Sequence, residues 1–547
     1  MQGHATTRRE QLAALASRSF DLLVVGGGIT GCGVAHEAAL RGLTVALVEK
    51  GDFASGTSSR SSRLVHGGVR YLETGQIHLV FESSAERRHL LRLAPHLVRP
   101  LPFTWPVYAG ARISRWKLGA GLFAYDALAM FRNVARHERL SARGVLEREP
   151  MLRAEALRGG ARYFDAATDD ARLTLANAVG AAEAGAVVVN HAPVTTLRID
   201  GGRVAGASVI DRLTGSGIEV RARVVVNATG PWSDDLRALD ELATAERSDG
   251  AAVRGSKGAH ISVPRARIGN RDALTLLVPA DGRVFFVLPA GAQAIIGTTD
   301  SFTSASPDAV RATRADVRYL LQAANAYFPR ASIGDEDVVS AWAGIRPLLP
   351  SAAASPGRAS REHAVSVSAS GLVSITGGKL TTYRVMGQDV LRTVLEHLGR
   401  SAGRRDPSRD TPLPGGDFDS VELLVEQASR LTKDESLAAR LVRAHGTRWR
   451  DVWREIQTDG GGDLVDAGLP YTTGELRYSV RAELACTLGD LLIRRTHLAH
   501  ESRDHGVRAA ARVAEAVAPF LGWDRLARGR AIRAFESEIE NEFAIDG

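Results

Sequence analysis

The stretch Asp21 to Lys50 constrains the fold of this chain more than any other part of its sequence. A short apolar run, Leu22 to Val25, precedes three glycines at positions 26, 28 and 31, which have the G-x-G-x-x-G spacing. A helix of small residues is predicted to follow, and a second apolar run then ends in Glu49. A dinucleotide-binding βαβ unit requires this order of strand, glycine turn, helix and strand. The stretch therefore predicts the start of a parallel, Rossmann-like sheet.

The three glycines and the carboxylate have separate tasks in such a unit. Gly26 permits the tight turn, Gly28 lets the backbone approach a pyrophosphate, and Gly31 brings the helix close to the strand. The pyrophosphate then meets backbone N–H groups at the positive end of the helix. Glu49 suits a free ribose 2′-hydroxyl and would repel the 2′-phosphate of NADP. A tight turn without a ligand is the alternative, and the flanking strands together with Glu49 argue against it.

The chain as a whole has the composition of a soluble globular protein. Its 547 residues exceed the size of a single core, so two or three domains are expected. Apolar residues make up 44% of the chain without forming a run of about 18 residues, so we expect no membrane span. The N-terminal segment lacks the apolar core of a signal peptide. Cys32 and Cys486 stand far apart and in no metal-binding spacing, which fits a reducing cytosol and predicts neither a disulfide framework nor a metal site.

The charge balance is basic, with a formal net charge of +7 and a pI near 9.6. Only five of the 69 cationic residues are lysines. Such a skew toward arginine indicates coding bias rather than a nucleic-acid surface, because the sequence has no basic run and no nucleic-acid-binding motif. We therefore expect no nucleic-acid partner.

A loop rich in Ser, Thr and Gly, GDFASGTSSRSSRLVHGGVRYLE, follows Glu49. Loops with little apolar content inside a long domain usually serve a ligand. In that interpretation the hydroxyl and N–H groups of the loop line a cofactor, while His66, Arg70 and Tyr71 face a pocket. The alternative is a surface loop of short polar residues.

Two further glycine turns end apolar strands. Asn227-Ala228-Thr229-Gly230 closes the run EVRARVVVNATG, and Gly377-Gly378 separates a strand from a helix that begins at about Leu380. These turns predict that remote parts of the chain return to complete the dinucleotide fold. Residues 240–340 contain short β-rich runs separated by Pro and Gly, as in the antiparallel sheet of a second domain.

The segment 113–130 has the pattern of a helix with one apolar face and a cluster of cations at its N-terminal end. A helix that packs into a core and a helix that lies in a membrane interface both have this composition, and the sequence leaves the two open. The apolar stripe consists of Ile113, Trp116, Ala120, Phe123, Ala127 and Met130, and the cations are Arg112, Arg115 and Lys117.

Four motifs stand out along the chain: the opening segment from VVGGGITGCG to SSRLVHGGVRYLE, NATGPW, IIGTTD, and GIRPLLP followed by GGKLTTYR. Together they resemble the FAD-dependent (aerobic-type) glycerol-3-phosphate dehydrogenase family. The resemblance covers about residues 20–395, and the tail with ELACTLGDLLIRRT is similar to the C-terminal domain of the same family. It implies an enzyme that oxidises sn-glycerol 3-phosphate to dihydroxyacetone phosphate by hydride transfer to FAD N5 and passes the electrons to a membrane quinone.

Two other classes of protein stay in view. A flavin oxidase of amino or hydroxy acids would bind a carboxylate with its arginines and pass electrons to oxygen. The pair SSRLVHGGVRYLE and GGKLTTYR argues against it, although an oxygen-using glycerophosphate oxidase remains open. A non-catalytic flavoprotein that serves as a binding module is disfavoured by the joint presence of His66, Arg70, Arg346 and Lys379.

The resemblance also carries the chemistry of the site over to this sequence. Removal of the hydroxyl proton suits a neutral histidine with a pKa near the ordinary value of about 6.5. His260 is the expected base and His66 a flavin-side or orienting group, with a structural role as the alternative for each. Arg346 and Lys379 are the other residues expected to take part in catalysis. The expected substrate-binding residues are Arg70, Tyr71, Arg346, Arg361 and Lys379.

The expected cofactor-binding residues lie at the glycine turns, at the end of the second strand and in the polar loop. The strand–glycine–helix order of GGKLTTYR offers N–H groups near the part of a flavin that becomes negative on reduction. The full set is Gly26, Gly28, Gly31, Glu49, Thr57, Ser58, Ser62, Thr229, Gly230, Gly377, Gly378, Leu380, Thr381 and Thr382.

We therefore predict an α/β protein with three parts. A discontinuous Rossmann-like FAD-binding domain comprises residues 20–98, 160–240 and 341–398, and a β-rich substrate region of residues 99–159 and 241–340 is inserted into it. A linker, 399–417, leads to an all-helical C-terminal domain, 418–547. The candidate membrane contact lies in 99–134. The expected partners are glycerol 3-phosphate, a quinone and the membrane surface, a homodimer is compatible with the sequence, and the expected location is cytoplasmic and peripheral on the inner membrane.

Overall fold

The computed structural model describes residues 7–69, 76–130, 134–244, 250–350, 356, 360–401, 403 and 406–547. In chain order, the strands are β1 (Ser19–Val25), β2 (Val45–Val48), β3 (Leu64–Val65), β4 (Val98–Tyr108), β5 (Glu138–Leu140), β6 (Leu157–Thr168), β7 (Val187–Val189), β8 (Val194–Asp200), β9 (Arg203–Ile210), β10 (Gly217–Asn227), β11 (Arg254–Pro264), β12 (Ala273–Leu277), β13 (Val284–Ala290), β14 (Gln293–Gly297), β15 (Ser301–Phe302), β16 (Ser340–Leu348), β17 (His363–Val367) and β18 (Val373–Gly377).

The first ten helices precede, separate or directly follow the strands, and the last seven form the C-terminal part of the described chain. In chain order, they are α1 (Arg8–Ser17), α2 (Ile29–Leu40), α3 (Ile77–Leu93), α4 (Arg115–Leu128), α5 (Ala142–Arg148), α6 (Asp170–Glu183), α7 (Ser233–Thr244), α8 (Arg265–Ile268), α9 (Arg314–Asn325), α10 (Tyr383–His397), α11 (Val421–Thr432), α12 (Glu435–His445), α13 (Trp449–Ile456), α14 (Thr473–Ala482), α15 (Leu498–Glu501), α16 (Ala510–Leu521) and α17 (Arg525–Phe543).

The first sheet, here called sheet A, has eight strands among the described residues, in the order β17-β18-β10-β1-β2-β7, with β9 also beside β10 and β8 beside β9. The strands from β18 to β7 are parallel, which confirms the predicted Rossmann-like core. Val25 at the end of β1 lies opposite both Asn227 of β10 and Val48 of β2. Because these carboxyl ends are aligned, the turns that follow them meet at one edge of the sheet.

The second sheet, here called sheet B, has ten strands in the described part of the chain. Its main path is β15-β11-β14-β13-β12-β4-β6-β3, with β16 paired to β11 and β5 to β6. Side chains alternate between the two faces of a strand. On one face Ala259 and Ile261 of β11 and Ala343 of β16 pack with α9 in a hydrophobic core. The other face carries His260, and it is the face that looks toward sheet A.

Two strands cross the predicted domain boundaries. The boundaries at 160 and 341 assign most of β6 and of β16 to the FAD-binding domain, but β6 pairs with β4 and β16 with β11, both in sheet B. The alternation of apolar and polar residues predicts a strand without saying which strand lies beside it. The sheet to which β6 and β16 belong is therefore decided by pairing with strands far away in the sequence, which the local pattern does not reveal.

The C-terminal domain is helical, as predicted, and pairs of charged or ionisable side chains join it to the rest of the chain. Arg494 Nε lies 2.6 Å from Asp52 Oδ2, and His497 Nε2 lies 2.7 Å from Asp169 Oδ2. Arg172 pairs with Glu483 at 2.5 Å. The helical domain thus contacts the loop after β2 and the start of α6.

Helix α4 contains most of the predicted apolar stripe. The Ser114 side chain caps its start by accepting a hydrogen bond from the Lys117 N–H. The face that packs inward consists of Leu118, Gly119, Leu122, Tyr125 and Asp126. Ile113 is only 5% exposed and belongs to the core, so it does not share one face with the other five residues of the predicted stripe. The other stripe residues are exposed: Trp116 (77%), Ala120, Phe123 (59%), Ala127 and Met130 (47%).

Candidate cofactor and substrate site

The glycine turn after β1 is held by close backbone packing. Gly26 has φ +112°, in the region that favours glycine, and a Cβ there would lie 2.6 Å from the Ala228 carbonyl oxygen. A Cβ on Gly31 would collide with the Gly26 carbonyl oxygen. The Ile29 N–H donates to Ser58 Oγ at 2.9 Å. Helix α2 therefore begins at the sheet edge with its N-terminal end directed at the space beyond β1.

Gly28 differs from its two neighbours in the motif. Its φ is −74°, which any residue can adopt, and the only described heavy atom within 4 Å of an added Cβ is Ser58 Oγ, at 3.2 Å. The fold itself therefore does not require glycine here. A group that approaches the backbone from the cavity does require it, and a pyrophosphate at a helix N-terminus is such a group.

The Glu49 carboxylate lies beside this helix start. Its two oxygens accept hydrogen bonds from Gly27 N, at 2.6 Å, and from Gly51 N, at 2.7 Å. Burial raises the pKa of Glu49, and the two N–H donors oppose that rise. The side chain is thus fixed at the end of β2, where a carboxylate can bind the ribose of a dinucleotide.

The polar loop after β2 folds back against the second sheet. Thr57 Oγ1 donates to the Ile345 carbonyl at 2.6 Å, and Ser62 Oγ shares a 2.9 Å hydrogen bond with His260 Nε2. The loop hydroxyls therefore join the dinucleotide turn to sheet B, which supports the ligand-binding interpretation of the loop over that of a free surface loop.

The other two glycine turns lie at the same edge of sheet A. Thr229 Oγ1 donates to Asn227 Oδ1 at 2.7 Å, and Gly230 follows with φ +57°. After β18, Gly377 and Gly378 have φ +77° and +85°, and they lead into a short helical turn and then α10. A Cβ on Gly377 would meet the Glu362 carbonyl, so the turn depends on glycine.

A cavity of about 670 Å³ lies between the two sheets, and its size is that of a cofactor or ligand site. Gly31 and Thr382 lie behind its wall, and Arg70 and Tyr71 fall outside the described residues. The other predicted site residues line it together: Gly26, Gly28, Glu49, Thr57, Ser58, Ser62, His66, Thr229, Gly230, His260, Arg346, Arg361, Gly377, Gly378, Lys379, Leu380 and Thr381.

Two arginines on this wall share one carboxylate. Arg346 Nη1 lies 3.0 Å from Asp300 Oδ1, and its Nη2 donates to Thr298 Oγ1 at 2.9 Å. Arg361 Nη2 lies 3.8 Å from the other oxygen of Asp300. A Cβ on Gly258 would collide with the Arg346 guanidinium, so glycine makes room for it. Sequence reasoning missed Asp300, although it ends the IIGTTD motif.

Lys379 lies on the same wall, after the Gly377-Gly378 turn. Its Nζ donates to Ser83 Oγ at 2.7 Å. Burial lowers the pKa of Lys379 to about 8; Glu82 works to raise the pKa and Arg361 to lower it. The ammonium is therefore easier to deprotonate than an ordinary lysine.

His260 lies on β11 with its ring stacked on Trp342, the ring centroids 5.5 Å apart and the planes 13° apart. Burial, together with the charges of Arg346 and Arg63, lowers the pKa of His260 to about 3. The ordinary value near 6.5 that the sequence suggests is thus wrong for this site, because the sequence does not reveal burial. His66 is half-buried on the cavity wall, and its backbone N–H donates to Thr381 Oγ1 at 3.3 Å.

Replacing Gly28 with valine tests the dinucleotide cradle. The new side chain would occupy the space through which the pyrophosphate approaches, while the packing of the turn tolerates it. We expect Gly28→Val to purify nearly colourless, with little FAD per chain by absorbance and a folded circular dichroism spectrum. Gly217→Val is the matched control, because a Cβ on Gly217 meets nothing within 4 Å among the described residues. A yellow Gly28→Val protein with normal flavin content would contradict the assignment.

Comparison with known proteins gives the family. Residues 21–384 match the family described as FAD dependent oxidoreductase, and residues 407–528 match the C-terminal domain of alpha-glycerophosphate oxidase. Glycerol-3-phosphate dehydrogenase 2 of Mycobacterium bovis is 39% identical over 96% of this chain and 89% of its own length. The aerobic glycerol-3-phosphate dehydrogenase of Staphylococcus saprophyticus is 34% identical over 99% of this chain and 97% of its own.

A solved structure agrees with these relatives. The glycerol-3-phosphate dehydrogenase from Bacillus halodurans, complexed with FAD, is 31% identical, covers 98% of each chain and has a TM-score of 0.81. The open approach at Gly28 and the fixed carboxylate of Glu49 fit FAD, which is the cofactor of this chain. The chain belongs to the FAD-dependent glycerol-3-phosphate dehydrogenase family.

Proposed function

We propose that this enzyme oxidises sn-glycerol 3-phosphate to dihydroxyacetone phosphate and passes the electrons to a membrane quinone. The observation that carries the proposal is the convergence of Arg346, Arg361, Lys379 and His260 on one wall of the cavity that also holds the dinucleotide cradle. Three cations and one neutral imidazole match a substrate with a phosphate at one end and a secondary alcohol beside it.

The cations would bind the phosphate. A phosphate monoester carries about −1.5 to −2 charges near neutral pH, and arginine's planar fork matches its oxygens. Asp300 holds the Arg346 guanidinium from one side and lies near Arg361. This carboxylate fixes the two side chains before substrate arrives, so that less conformational entropy is lost on binding.

His260 would accept the proton of the substrate's hydroxyl group. The lowered pKa keeps its imidazole neutral at physiological pH, which is the form that accepts a proton. The Trp342 ring on one side and the hydrogen bond with Ser62 fix the plane of the His260 ring. Bound FAD supplies a hydride acceptor at N5.

The turn from Gly377 to Thr381 would support the flavin side of the reaction. Its left-handed glycines bring the backbone to the cavity wall, and the N–H groups at the start of the following helix present the positive end of a dipole. Donors placed in this way stabilise negative charge that develops during the reaction.

Anaerobic addition of glycerol 3-phosphate to the purified yellow protein tests the activity, and we expect its absorbance near 450 nm to bleach. Reoxidation by a soluble quinone without hydrogen peroxide supports the quinone acceptor. Rapid reoxidation by air with one peroxide per substrate would instead favour an oxygen-using glycerophosphate oxidase, the name attached to the match at residues 407–528. Bleaching by amino or hydroxy acids, with none by glycerol 3-phosphate, would overturn the proposal.

Helix α4 supplies the contact that we propose with the membrane. Trp116 and Phe123 are exposed on one side of it, Met130 is exposed two residues beyond its end, and Arg115 and Lys117 are exposed at its first turn. An apolar face with cations at its border suits an interface of anionic lipids, in which the cations meet phosphates and the rings enter the upper acyl region. The helix would hold the enzyme near its quinone at the cytoplasmic face of the inner membrane. Across the described residues, every helix is too short or too polar to span a bilayer.

Removal of the Arg346 guanidinium tests phosphate recognition. Losing one charge-assisted contact costs about 1.5–3 kcal/mol, so Arg346→Ala should lower kcat/KM for glycerol 3-phosphate roughly ten- to hundred-fold. The low activity with glycerol should change little, because glycerol has no phosphate. Arg143→Ala, which removes an exposed arginine of α5, is the control. Equal losses with both substrates would assign Arg346 a structural or catalytic role.

The pKa of Lys379 predicts an alkaline limit to substrate capture. As the pH rises through about 8, the ammonium loses its proton and the site loses one positive charge. We therefore expect kcat/KM for glycerol 3-phosphate to fall above that pH while kcat falls less, since bound phosphate favours the charged lysine. In Lys379→Arg the cation persists, and the fall should move to higher pH. An unchanged alkaline limb in that variant would exclude Lys379 as its source.

If the exposed rings of α4 bind the membrane, replacing them with charged residues should abolish that binding. Trp116→Glu with Phe123→Glu should release the protein from anionic liposomes and depress quinone reduction, while activity with a small soluble dye survives. The matched control is Leu242→Glu with Leu526→Glu, which adds the same charges at two other exposed apolar residues. If the α4 variant cosediments with liposomes as the wild type does, the membrane contact lies elsewhere.

A further inference from the structure

A buried polar patch continues from the substrate cavity along two strands of sheet B. His260 and Ser262 alternate onto the same face of β11, and the register places Trp342 and Ser340 of β16 opposite them. All four side chains are at most 3% exposed. They form a two-by-two patch, here called the seam patch, on the face that carries His260 into the cavity.

Each residue of the seam patch has a polar atom with no hydrogen-bond partner in the described part of the chain. These atoms are His260 Nδ1, Ser262 Oγ, Ser340 Oγ and Trp342 Nε1. Buried polar groups are rarely left unsatisfied, because each such group costs about 1–3 kcal/mol. Four of them side by side indicate a hydrogen-bonding ligand small enough to enter a narrow space, and water is that ligand.

His500 of the C-terminal domain closes the patch from the opposite side. Its ring meets the Trp342 ring edge to face, with the centroids 5.2 Å apart, and it is 4% exposed. Neither ring nitrogen has a hydrogen-bond partner among the described residues. A neutral imidazole carries one donor and one acceptor, so His500 can pass a hydrogen bond from one water to the next.

The patch leads toward the protein surface. Ser262 lies two residues beyond His260, about 6.6 Å along the strand. The Ser262 carbonyl accepts from Val339 N, and the neighbouring Val338 carbonyl accepts from the exposed Arg503 of the C-terminal domain. The Ser262 end of the patch is thus joined through Val339 and Val338 to Arg503, at the border between sheet B and the helical domain.

We propose that water molecules occupy the seam patch and carry the proton of the substrate's hydroxyl group from His260 to solvent. This proposal rests on the proposed function. The C–H electron pair leaves the substrate as hydride to FAD N5, and the O–H electron pair becomes the second bond of the carbonyl. The hydroxyl proton reaches His260 Nε2 through the Ser62 hydroxyl, which lies 2.9 Å from that nitrogen. His260 releases a proton from Nδ1, and the waters transfer it past Ser262, Ser340 and His500. The net products beside the ketone are the flavin reduced by two electrons and one proton in solution.

The charges around the patch favour release of the proton from the two histidines over its retention. Arg346 and Arg63 face His260, and Arg63, Arg60, His497 and His505 lie near His500. Burial together with these charges lowers the pKa of both histidines. Neither imidazole therefore retains the proton, which has to move on.

The test follows flavin bleaching and proton release in one anaerobic stopped-flow experiment with a pH indicator in weak buffer. In the wild-type holoenzyme we expect flavin bleaching and proton release to proceed at the same rate after mixing with glycerol 3-phosphate. The variant His500→Phe keeps an aromatic ring but has no polar atom. Its first-turnover bleaching should stay near the wild-type rate, and its rate constant for proton release should fall about tenfold or more below that for bleaching. His500→Gln restores a donor and an acceptor and should shorten the lag.

A second variant acts at the other end of the patch. Ser340→Val fills the space with methyl groups, lies in a different element and should produce the same lag. FAD content and the thermal midpoint establish that each variant is folded, so that the failure of one to fold leaves the other as the test. Synchronous signals in the folded variants would overturn the proposal. Equal slowing of bleaching and proton release would also overturn it, because His500 would then only position His260 through Trp342. If glycerol 3-phosphate does not bleach the wild type, the proposed function itself fails.

Discussion

The contact on which the rest of the structure depends is the one between the backbone of Gly31 and the Gly26 carbonyl. No side chain fits between them, and Gly26 in turn lies against the Ala228 carbonyl at the end of β10. Strands β1 and β10 of sheet A and helix α2 are therefore held at backbone distance from one another. Any Cβ at Gly31 would push the helix off the sheet. The positive end of α2 would then no longer point at the cavity, and the turn after β1 would no longer be aligned with those after β10 and β18.

A second constraint fixes the helical domain against this frame. Asp52 is fully buried with Arg494 and Arg495, and although burial works to raise its pKa, the two guanidiniums hold that pKa below its ordinary value. His191 and Asp490 lie close enough to Asp52 to suggest a metal site, but the two arginines already pair with these carboxylates. Buried ion pairs add little net stability and are costly to break, so their effect here is to fix position. They hold the turn that follows Glu49.

The parts that sequence predicted are those in which a short motif specifies both the residue type and the order of elements. The glycines of the opening motif, Glu49 and the start of α10 each stand in such a motif, and the structure places them at the predicted turns and strand end, although remote contacts such as that of Gly26 with the Ala228 carbonyl hold them there. What sequence missed depends on strand pairing. Asp300 has its role only because β11, β14 and β16 bring it to Arg346, and His260 is buried only because Trp342 stacks on it across the ladder. The pKa of that histidine is likewise a property of the assembled site.

The same assembly links phosphate binding to base strength under the proposed function. Arg346 faces both the phosphate position and His260, and its charge is one reason why the pKa of His260 is low. A dianion bound to Arg346 cancels much of that charge as seen from the imidazole, since opposite charges close together screen one another's field. His260 then becomes a stronger base only when a phosphorylated substrate is in place. Binding energy from the non-reacting phosphate is in this way used at the reacting carbon, and glycerol, which lacks the phosphate, meets a weaker base as well as an unfilled anion site.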